Sequence, residues 1–323
     1  MTMEGNLDFY LQQGTALRLI YQRAEPFLIW SQFVEPVKDD HAAFIYRYDN
    51  VGKDSDPKKK QPAHIQIGGD FPEIDMSRPT IGSGMTESKG FSVRIPRNII
   101  REEAPGISEV QKAYRFAGFW MARYLNNNIL TAMKAGFATA TMTPTKPWQG
   151  TGSEGATPVD DMIVLESEFD REDYAFSMTD AFVHKNSWYG MKRYLTSVDV
   201  NEAKQRLMYG VPSIKKDQIT IPVVDSDLWK VKSGLTLGSF LGLDRNNKGV
   251  ELHYYIDPKF SKEEVQYEAI VDGQKQTVTA VNLGFHFEQL EDPKTHDTIL
   301  KFWDESKPVV TQSYAGLYKS TGF

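Results

Sequence analysis

The chain has 323 residues, a formal net charge of −6 and an isoelectric point near 5.6, so it can bury a sizeable core but has no overall basic character for gripping nucleic acid. It contains no cysteine, which excludes disulfides, thiolate metal sites and cysteine nucleophiles. No apolar run approaches the roughly 20 residues that span a bilayer. The first ten residues lack the basic start and apolar middle of a signal peptide. We therefore predict a soluble protein that is not exported by that route.

The first predicted element is an amphipathic helix that begins near Leu7. Pro26 should end or kink this helix, because proline lacks the amide hydrogen that a helix interior needs. The sequence that follows, FLIWSQFV over residues 27–34, is too apolar to remain in water. It must dock on the chain's own core or on a neighbouring copy, and the sequence leaves both possibilities open.

Strand patterns occupy residues 42–48 and 89–95. A long polar excursion connects them and contains too few apolar residues for a core of its own. Loops of this length in compact proteins usually have a functional or intermolecular role. The cations Lys58, Lys59 and Lys60 lie in this loop, where they predict a solvated tip or a contact with acidic surface on another subunit.

One long helix is predicted over residues 108–136, where apolar residues recur every three or four positions. Ser108 and Gln111 form a capping-box pattern at its start, and Gly136 follows Lys134 at its end. Further aromatic side chains lie off the main apolar face. The helix should therefore be covered on more than one side, by its own chain or by neighbouring copies.

The second half of the chain mixes predicted helices and strands, so the predicted fold class is α+β. An irregular stretch rich in threonine, glycine and proline follows residue 136 and marks a domain boundary. After it, we predict a short buried strand at 162–165, helices at 171–183 and 200–209, an edge strand at 219–227, strands within 239–256 and 265–283, and a hairpin turn at Asp272-Gly273.

The sequence contains no catalytic, cofactor or metal constellation above background. Gly150, Gly152 and Gly155 match G-x-G-x-x-G, but a dinucleotide site needs a strand before the glycines and a helix after them, so a flexible loop is the better interpretation. The six histidines never have metal-ligand spacing, and the hydrolase motif G-x-S-x-G is absent. We expect no enzymatic activity, no cofactor and no metal.

The order of these segments resembles that of the major capsid proteins of tailed double-stranded DNA viruses, which share the Hong Kong 97-type shell fold. FLIWSQFVEP followed by AAFIYRY looks like an N-terminal arm that enters the first peripheral strand. KGFSVRIPRNIIREE resembles the strand that returns from the extended E-loop. DDMIVLESEFDREDYAFSMTDAF looks like the opening of the axial domain, in which a strand leads into a helix, and GVPSIKKDQITIPVVDSD resembles a later segment of that domain.

The resemblance implies an N-terminal arm (1–41), an E-loop (49–88), an axial domain (151–280) and a peripheral domain (42–48, 89–150 and 281–323) whose spine is the long helix. It implies pentamers and hexamers that form an icosahedral capsid around double-stranded DNA without sequence-specific binding. Portal, scaffolding or decoration proteins would be partners, and no membrane would be involved. The shell would be a virion capsid that assembles in the host cytoplasm.

Within this resemblance, we hypothesise that Trp30, Phe33 and the loop surface around Lys58, Lys59 and Lys60 form contacts between subunits. Three alternatives remain. An encapsulin-like compartment would hold cargo protein in place of a genome, a soluble α/β enzyme would use a site around residues 139–155, and a tail or baseplate protein would form rings or tubes.

Overall fold

The computed structural model describes residues 11–48, 80–148, 158–169, 176, 178–184, 187, 235–271 and 274–323. In these residues the helices are α1 (Gln13–Ala24), α2 (Arg97–Arg101), α3 (Glu103–Gly136) and α4 (Pro158–Phe169). The strands are β1 (Glu35–Asp39), β2 (Ala43–Tyr48), β3 (Thr80–Met85), β4 (Lys89–Ile95), β5 (Ala138–Thr139), β6 (Asp180–Val183), β7 (Phe240–Leu243), β8 (Val250–Tyr255), β9 (Glu264–Val271), β10 (Gln274–Val281), β11 (Phe285–Glu291), β12 (Thr298–Asp304), β13 (Ser306–Val310) and β14 (Gly316–Lys319). Short 3-10 turns lie at Glu25–Phe27, Trp30–Phe33 and Ser313–Ala315. None of the helices in this part of the chain is long and apolar enough to cross a membrane.

Helix α3 is the spine of the molecule. It has 34 residues and is therefore about 50 Å long. It ends at Gly136 as predicted but begins five residues before the predicted start, so the predicted capping box at Ser108 is wrong. The N-cap residue is Glu102, and its side chain makes no capping hydrogen bond. Pro105 fits into the first turn because the amide hydrogens of that turn have no intrahelical acceptor.

The segment before the spine packs along it. Helix α1 ends before Pro26, as predicted, and its apolar face is buried. The backbone then forms two 3-10 turns that Asn126 of α3 holds in place. Its side-chain oxygen accepts the amide hydrogens of Ile29 and Trp30 at 3.1 and 3.2 Å, and its nitrogen donates to the carbonyl oxygen of Phe27 at 2.6 Å. Asn126 is fully buried, so these bonds satisfy backbone groups that water cannot reach.

The strands of the described residues form several small sheets on and around the spine. The strand orders are β1-β8-β13, β11-β12-β4, β5-β14-β7-β6, and the two-stranded ribbons β2-β3 and β10-β9. The predicted hairpin after residue 264 is confirmed, with β9 and β10 antiparallel along their full length. The Asp272-Gly273 turn itself lies outside the described residues, as do the segments predicted at 200–209 and 219–227.

Two predicted elements are wrong. Residues 162–165 belong to helix α4, not to a strand, because Pro158 and the first-turn carboxylates Asp160 and Asp161 favour a helix start and a short apolar run fits either structure. The predicted helix at 171–183 contains strand β6 at its C-terminal end. That strand is buried throughout and pairs with β7. Pairing across the sheet therefore overrides the helical preference that the local sequence indicated.

Within the described residues, the buried apolar side chains form two clusters that share the β5-β14-β7-β6 sheet. Phe182 and Leu241 face the larger cluster, which surrounds the spine and includes residues of β9. Val183 and Phe240 face the smaller cluster, which contains α4 and the C-terminal Phe323. Packing thus crosses the predicted boundary at residue 281, because part of the predicted axial segment packs on the spine and the C-terminal strand packs with α4.

Candidate assembly surfaces

The β2-β3 ribbon is the first candidate surface, because its two strands flank most of the predicted E-loop. The strands are antiparallel, and the cross-strand pairs alternate between two faces. Ala43 pairs with Met85, Ile45 with Ser83 and Arg47 with Ile81 on one face, whereas Phe44 pairs with Gly84 and Tyr46 with Gly82 on the other.

The inner face of the ribbon packs aromatic rings over glycine. A Cβ atom at Gly84 would lie 2.4 Å from the Phe44 ring, and one at Gly82 would lie 2.3 Å from the Tyr46 ring. Only glycine allows such close approach of a ring to the opposite strand. Phe44 is buried, and its ring stacks on the imidazole of His253 in β8, with ring centroids 4.0 Å apart and planes inclined by 9°.

His253 lies between two carboxylates. Its Nδ1 atom is 3.1 Å from Asp39 Oδ2 of β1, and its Nε2 atom is 3.1 Å from Glu251 Oε2 of its own strand. Both ring nitrogens thus lie within hydrogen-bond distance of a carboxylate oxygen, one on the neighbouring strand and one on the same strand. The ribbon is therefore attached to the β1-β8-β13 sheet through an aromatic ring stacked on a buried, hydrogen-bonded imidazole.

The outer face of the ribbon is open and mostly apolar, with Ser83 and Arg47 as its polar residues. Ile45, Ile81 and Met85 are 73, 69 and 62 % exposed, and the register places them on one side of two adjacent strands. Scattered single apolar residues are normal on protein surfaces, but a contiguous group on a sheet face indicates an interaction site. The sequence reasoning did not identify these residues. The sequence did contain a signal for them. Gly82 and Gly84 lie between Ile81 and Met85 in β3, and glycines at alternate positions indicate that other side chains of the protein cover one face of the strand.

Trp30 and Phe33, the predicted contacts between subunits, are buried in the chain's own core. Trp30 is fully buried and Phe33 is 3 % exposed. Their rings contact Phe182 of β6 edge-on, at centroid distances of 4.8 and 5.1 Å. A side chain without exposed surface has no area left to bury against a neighbour. Of the two docking possibilities that the sequence left open, the single chain shows the intramolecular one for these two side chains, and their contact with a neighbouring subunit stays a prediction.

The other predicted site residues lie outside the described part of the chain. This holds for Lys58, Lys59 and Lys60 and for the glycines of the G-x-G-x-x-G match. Within the described part, no group of three or more histidine, aspartate or glutamate side chains could hold a metal ion.

The comparisons with known proteins bear on the fold. The sequence matches no protein-family model and no curated protein. The structure is similar to a virus-like particle from Pyrococcus furiosus, with a TM-score of 0.50 and 8 % identity over 93 % of this chain and 95 % of that one. It is also similar to a capsid structure of cyanophage P-SCSP1u, with a TM-score of 0.47 and 7 % identity over 91 and 88 % of the two chains. A third similar structure is the SrpI encapsulin of Synechococcus elongatus, with a TM-score of 0.45 and 10 % identity over 90 and 86 %.

These similarities extend over nearly the whole length of the chain. At such low identity the first of them shows the fold alone. The chain has an α+β fold of the Hong Kong 97 type, the class of fold that the order of its segments predicted. The subdivision into arm, E-loop, peripheral and axial segments stays a prediction.

Proposed function

We propose that the chain is a shell-forming capsid protein that assembles from pentamers and hexamers into an icosahedral shell around double-stranded DNA. The observation that carries this proposal is the apolar outer face of the β2-β3 ribbon on a chain with this fold. Ile45, Ile81 and Met85 lose water contact only if another surface covers them, and burial of each side chain would stabilise a contact by about 1–3 kcal/mol. The covering surface in a closed shell is a second subunit.

The charge of the chain agrees with a container for DNA. A net charge of −6 gives the shell no general attraction for phosphate groups, so packed DNA is enclosed and not held by a basic lining. Lys58, Lys59 and Lys60 stay predicted contacts with acidic surface on a neighbouring subunit. Portal, scaffolding or decoration proteins are proposed partners, the location is the virion capsid after assembly in the host cytoplasm, and no catalytic activity is required.

The proposal is tested by electron microscopy of the purified protein, with light scattering after size exclusion on the same sample. We expect closed shells or ring-shaped capsomers. The double variant Ile45→Ser/Ile81→Ser should assemble poorly while its subunits stay folded, because the changed side chains are already in water in the single chain. Leu290→Ser is a matched control, since this exposed apolar residue lies in another sheet, on β11.

A protein that stays a monomer or dimer even when concentrated would contradict the proposal. Normal shells from the ribbon variant would show that the ribbon face is not a contact between subunits. Extraction of nuclease-protected nucleic acid from the particles tests the finer assignment. Particles that contain a second protein and no DNA would instead identify an encapsulin-like compartment.

A further inference from the structure

The outer side of the spine carries a second exposed apolar surface, formed by aromatic rings. Phe116 and Phe119 are 60 and 48 % exposed, and residues three apart on a helix are neighbours on its surface. Phe116 contacts Phe91 of β4 edge-on at a centroid distance of 5.1 Å, and Phe119 contacts Phe27 at the same distance. Each exposed ring is thus held on one side by a second ring and is open on the other.

Two arginines flank these rings. Arg115 and Arg123 are both exposed on α3, and neither forms a salt bridge with a carboxylate of the described residues. Lys112, another exposed cation of α3, differs because it forms a salt bridge with Glu109 at 2.5 Å. The outer side of the spine therefore presents an apolar centre between two positively charged side chains that form no salt bridge within the described part of the chain.

We propose that this surface, which we call the spine patch (Arg115, Phe116, Phe119 and Arg123), binds an acidic amphipathic segment of a partner protein. Such a segment satisfies both halves of the patch, because its apolar face covers the two phenylalanine rings and its carboxylates pair with the two guanidinium groups. The patch is not part of the β2-β3 ribbon, so the proposal stands whether or not the ribbon contacts another subunit.

The same chemistry argues against duplex DNA as the ligand. The outside of a duplex offers phosphate groups, which would pair with Arg115 and Arg123 but would leave both phenylalanine rings in water. A ligand that uses the whole patch must bring apolar surface and negative charge together. Acidic amphipathic protein segments have this composition.

The test is a binding titration with the full 323-residue chain. The probe is a fluorescein-labelled synthetic helix of about five turns, with leucines along one face and glutamates beside them. A peptide of the same composition but scrambled order, a version with lysine in place of glutamate, and a short DNA duplex serve as comparisons. We expect saturable binding of the acidic amphipathic helix, at least about tenfold tighter than any comparison ligand, that weakens as salt is added.

Two variants divide the patch into its charged and apolar halves. Arg115→Glu/Arg123→Glu and Phe116→Ser/Phe119→Ser should each weaken peptide binding by at least about tenfold. The arginine variant keeps both aromatic contacts and so tests the proposal even if the serine variant folds poorly. Lys294→Glu, which reverses an exposed charge in the turn between β11 and β12, should bind like the wild type.

Three results would overturn the proposal. The first is equal binding of the scrambled and ordered peptides. The second is tight binding of the DNA duplex that the arginine variant loses and the serine variant keeps, which would assign the patch to nucleic acid. The third is loss of self-association in the patch variants without any peptide binding by the wild type, which would assign the patch to contact between copies of this chain.

Discussion

Phe44 and His253 form a parallel ring stack, with centroids 4.0 Å apart and planes inclined by 9°. Phe44 is the buried residue of β2, and His253 lies in the middle strand of the β1-β8-β13 sheet. The stack therefore joins the ribbon, whose outer face we propose as an assembly surface, to the body of the protein. Asp39 and Glu251 contact the imidazole at its two nitrogens and so orient the ring that lies beneath the ribbon.

We expect His253→Ala to loosen the ribbon. The change removes the ring beneath Phe44 and the hydrogen-bond partner that Asp39 and Glu251 share. The free energy of unfolding should fall by about 1–3 kcal/mol, because buried polar contacts are left unmade. Amide hydrogen exchange should become faster in β2 and β3 than in β11 and β12. His41→Ala, which removes an exposed histidine, should change neither the stability nor the exchange rates. Unaltered amide exchange in β2 and β3 of the His253→Ala variant would show that the ring stack does not support the ribbon.

Trp30→Ala should destabilise the single subunit. Trp30 is fully buried against Phe182 and the spine, and loss of a large buried aromatic side chain costs about 3–5 kcal/mol. Denaturant unfolding of unassembled subunits measures this. Phe116→Ala is the matched control, since its ring is mostly exposed and its loss should cost less than about 1 kcal/mol. A stable Trp30→Ala subunit that fails only in assembly would restore the intersubunit role that the sequence suggested.

Tyr21→Phe should destabilise the fold through a single hydroxyl group. This hydroxyl donates to Asn282 Oδ1 at 2.7 Å and accepts the amide hydrogen of Leu283 at 3.0 Å, joining α1 to the end of β10. Both residues of the first bond are buried, so its removal leaves unpaired polar groups and should cost about 1–3 kcal/mol of unfolding free energy. Tyr255→Phe is the control, because the Tyr255 hydroxyl has no partner in the described residues. Equal melting of the two variants would contradict this prediction.

Asp304 should make stability depend on pH. Its Oδ2 atom accepts hydrogen bonds from the Ser306 amide and hydroxyl, whereas Oδ1 is buried without a partner. Burial raises the pKa of Asp304 from 3.8 to about 7. Between these values the unfolded chain has lost the proton and the folded chain retains it. The contribution to stability is therefore complete below about pH 4 and is lost as the pH rises through 7.

Asp304→Asn removes this titration. The difference in unfolding free energy between wild type and variant should shift in favour of the variant by up to about 4 kcal/mol from pH 4 to pH 8. Denaturant unfolding at several pH values measures the shift. Subtracting the unfolding free energy of the variant from that of the wild type cancels the contributions of the other titrating groups, which both proteins share. Asp292→Asn is a useful contrast, because backbone hydrogen bonds lower the pKa of that half-buried carboxyl group and its effect on stability has the opposite sign. Parallel pH profiles of wild type and Asp304→Asn would refute this assignment.

Much of the local structure could be predicted from the sequence because its signals are local. The proline at position 26 ends α1, a glycine at position 136 ends the spine, and alternating patterns mark β2 and β4. The start of the spine could not be placed, because Pro105 looks like a break and only the free amide groups of a first turn make it acceptable there. The strand predicted at 162–165 was wrong because four apolar residues in a row have no period.

The candidate surfaces were harder to predict. Whether FLIWSQFV docks inside or outside depends on Asn126, a polar residue nearly a hundred positions away that supplies hydrogen bonds to the backbone of this segment. No local pattern connects the two. The exposed residues Ile45 and Ile81 look like ordinary strand residues in the sequence, and only the pairing register shows that they share one open face.

The sequence by itself determined the α+β composition, the long central helix, the absence of cysteine chemistry and the order of segments from which a capsid-type fold was predicted. These properties follow from residue type and spacing along the chain. Tertiary structure alone decided which apolar residues are core and which are surface, and it brought His253 between Asp39 and Glu251. Burial and hydrogen-bond pairing depend on residues that are far apart in sequence, and only the folded chain brings them together.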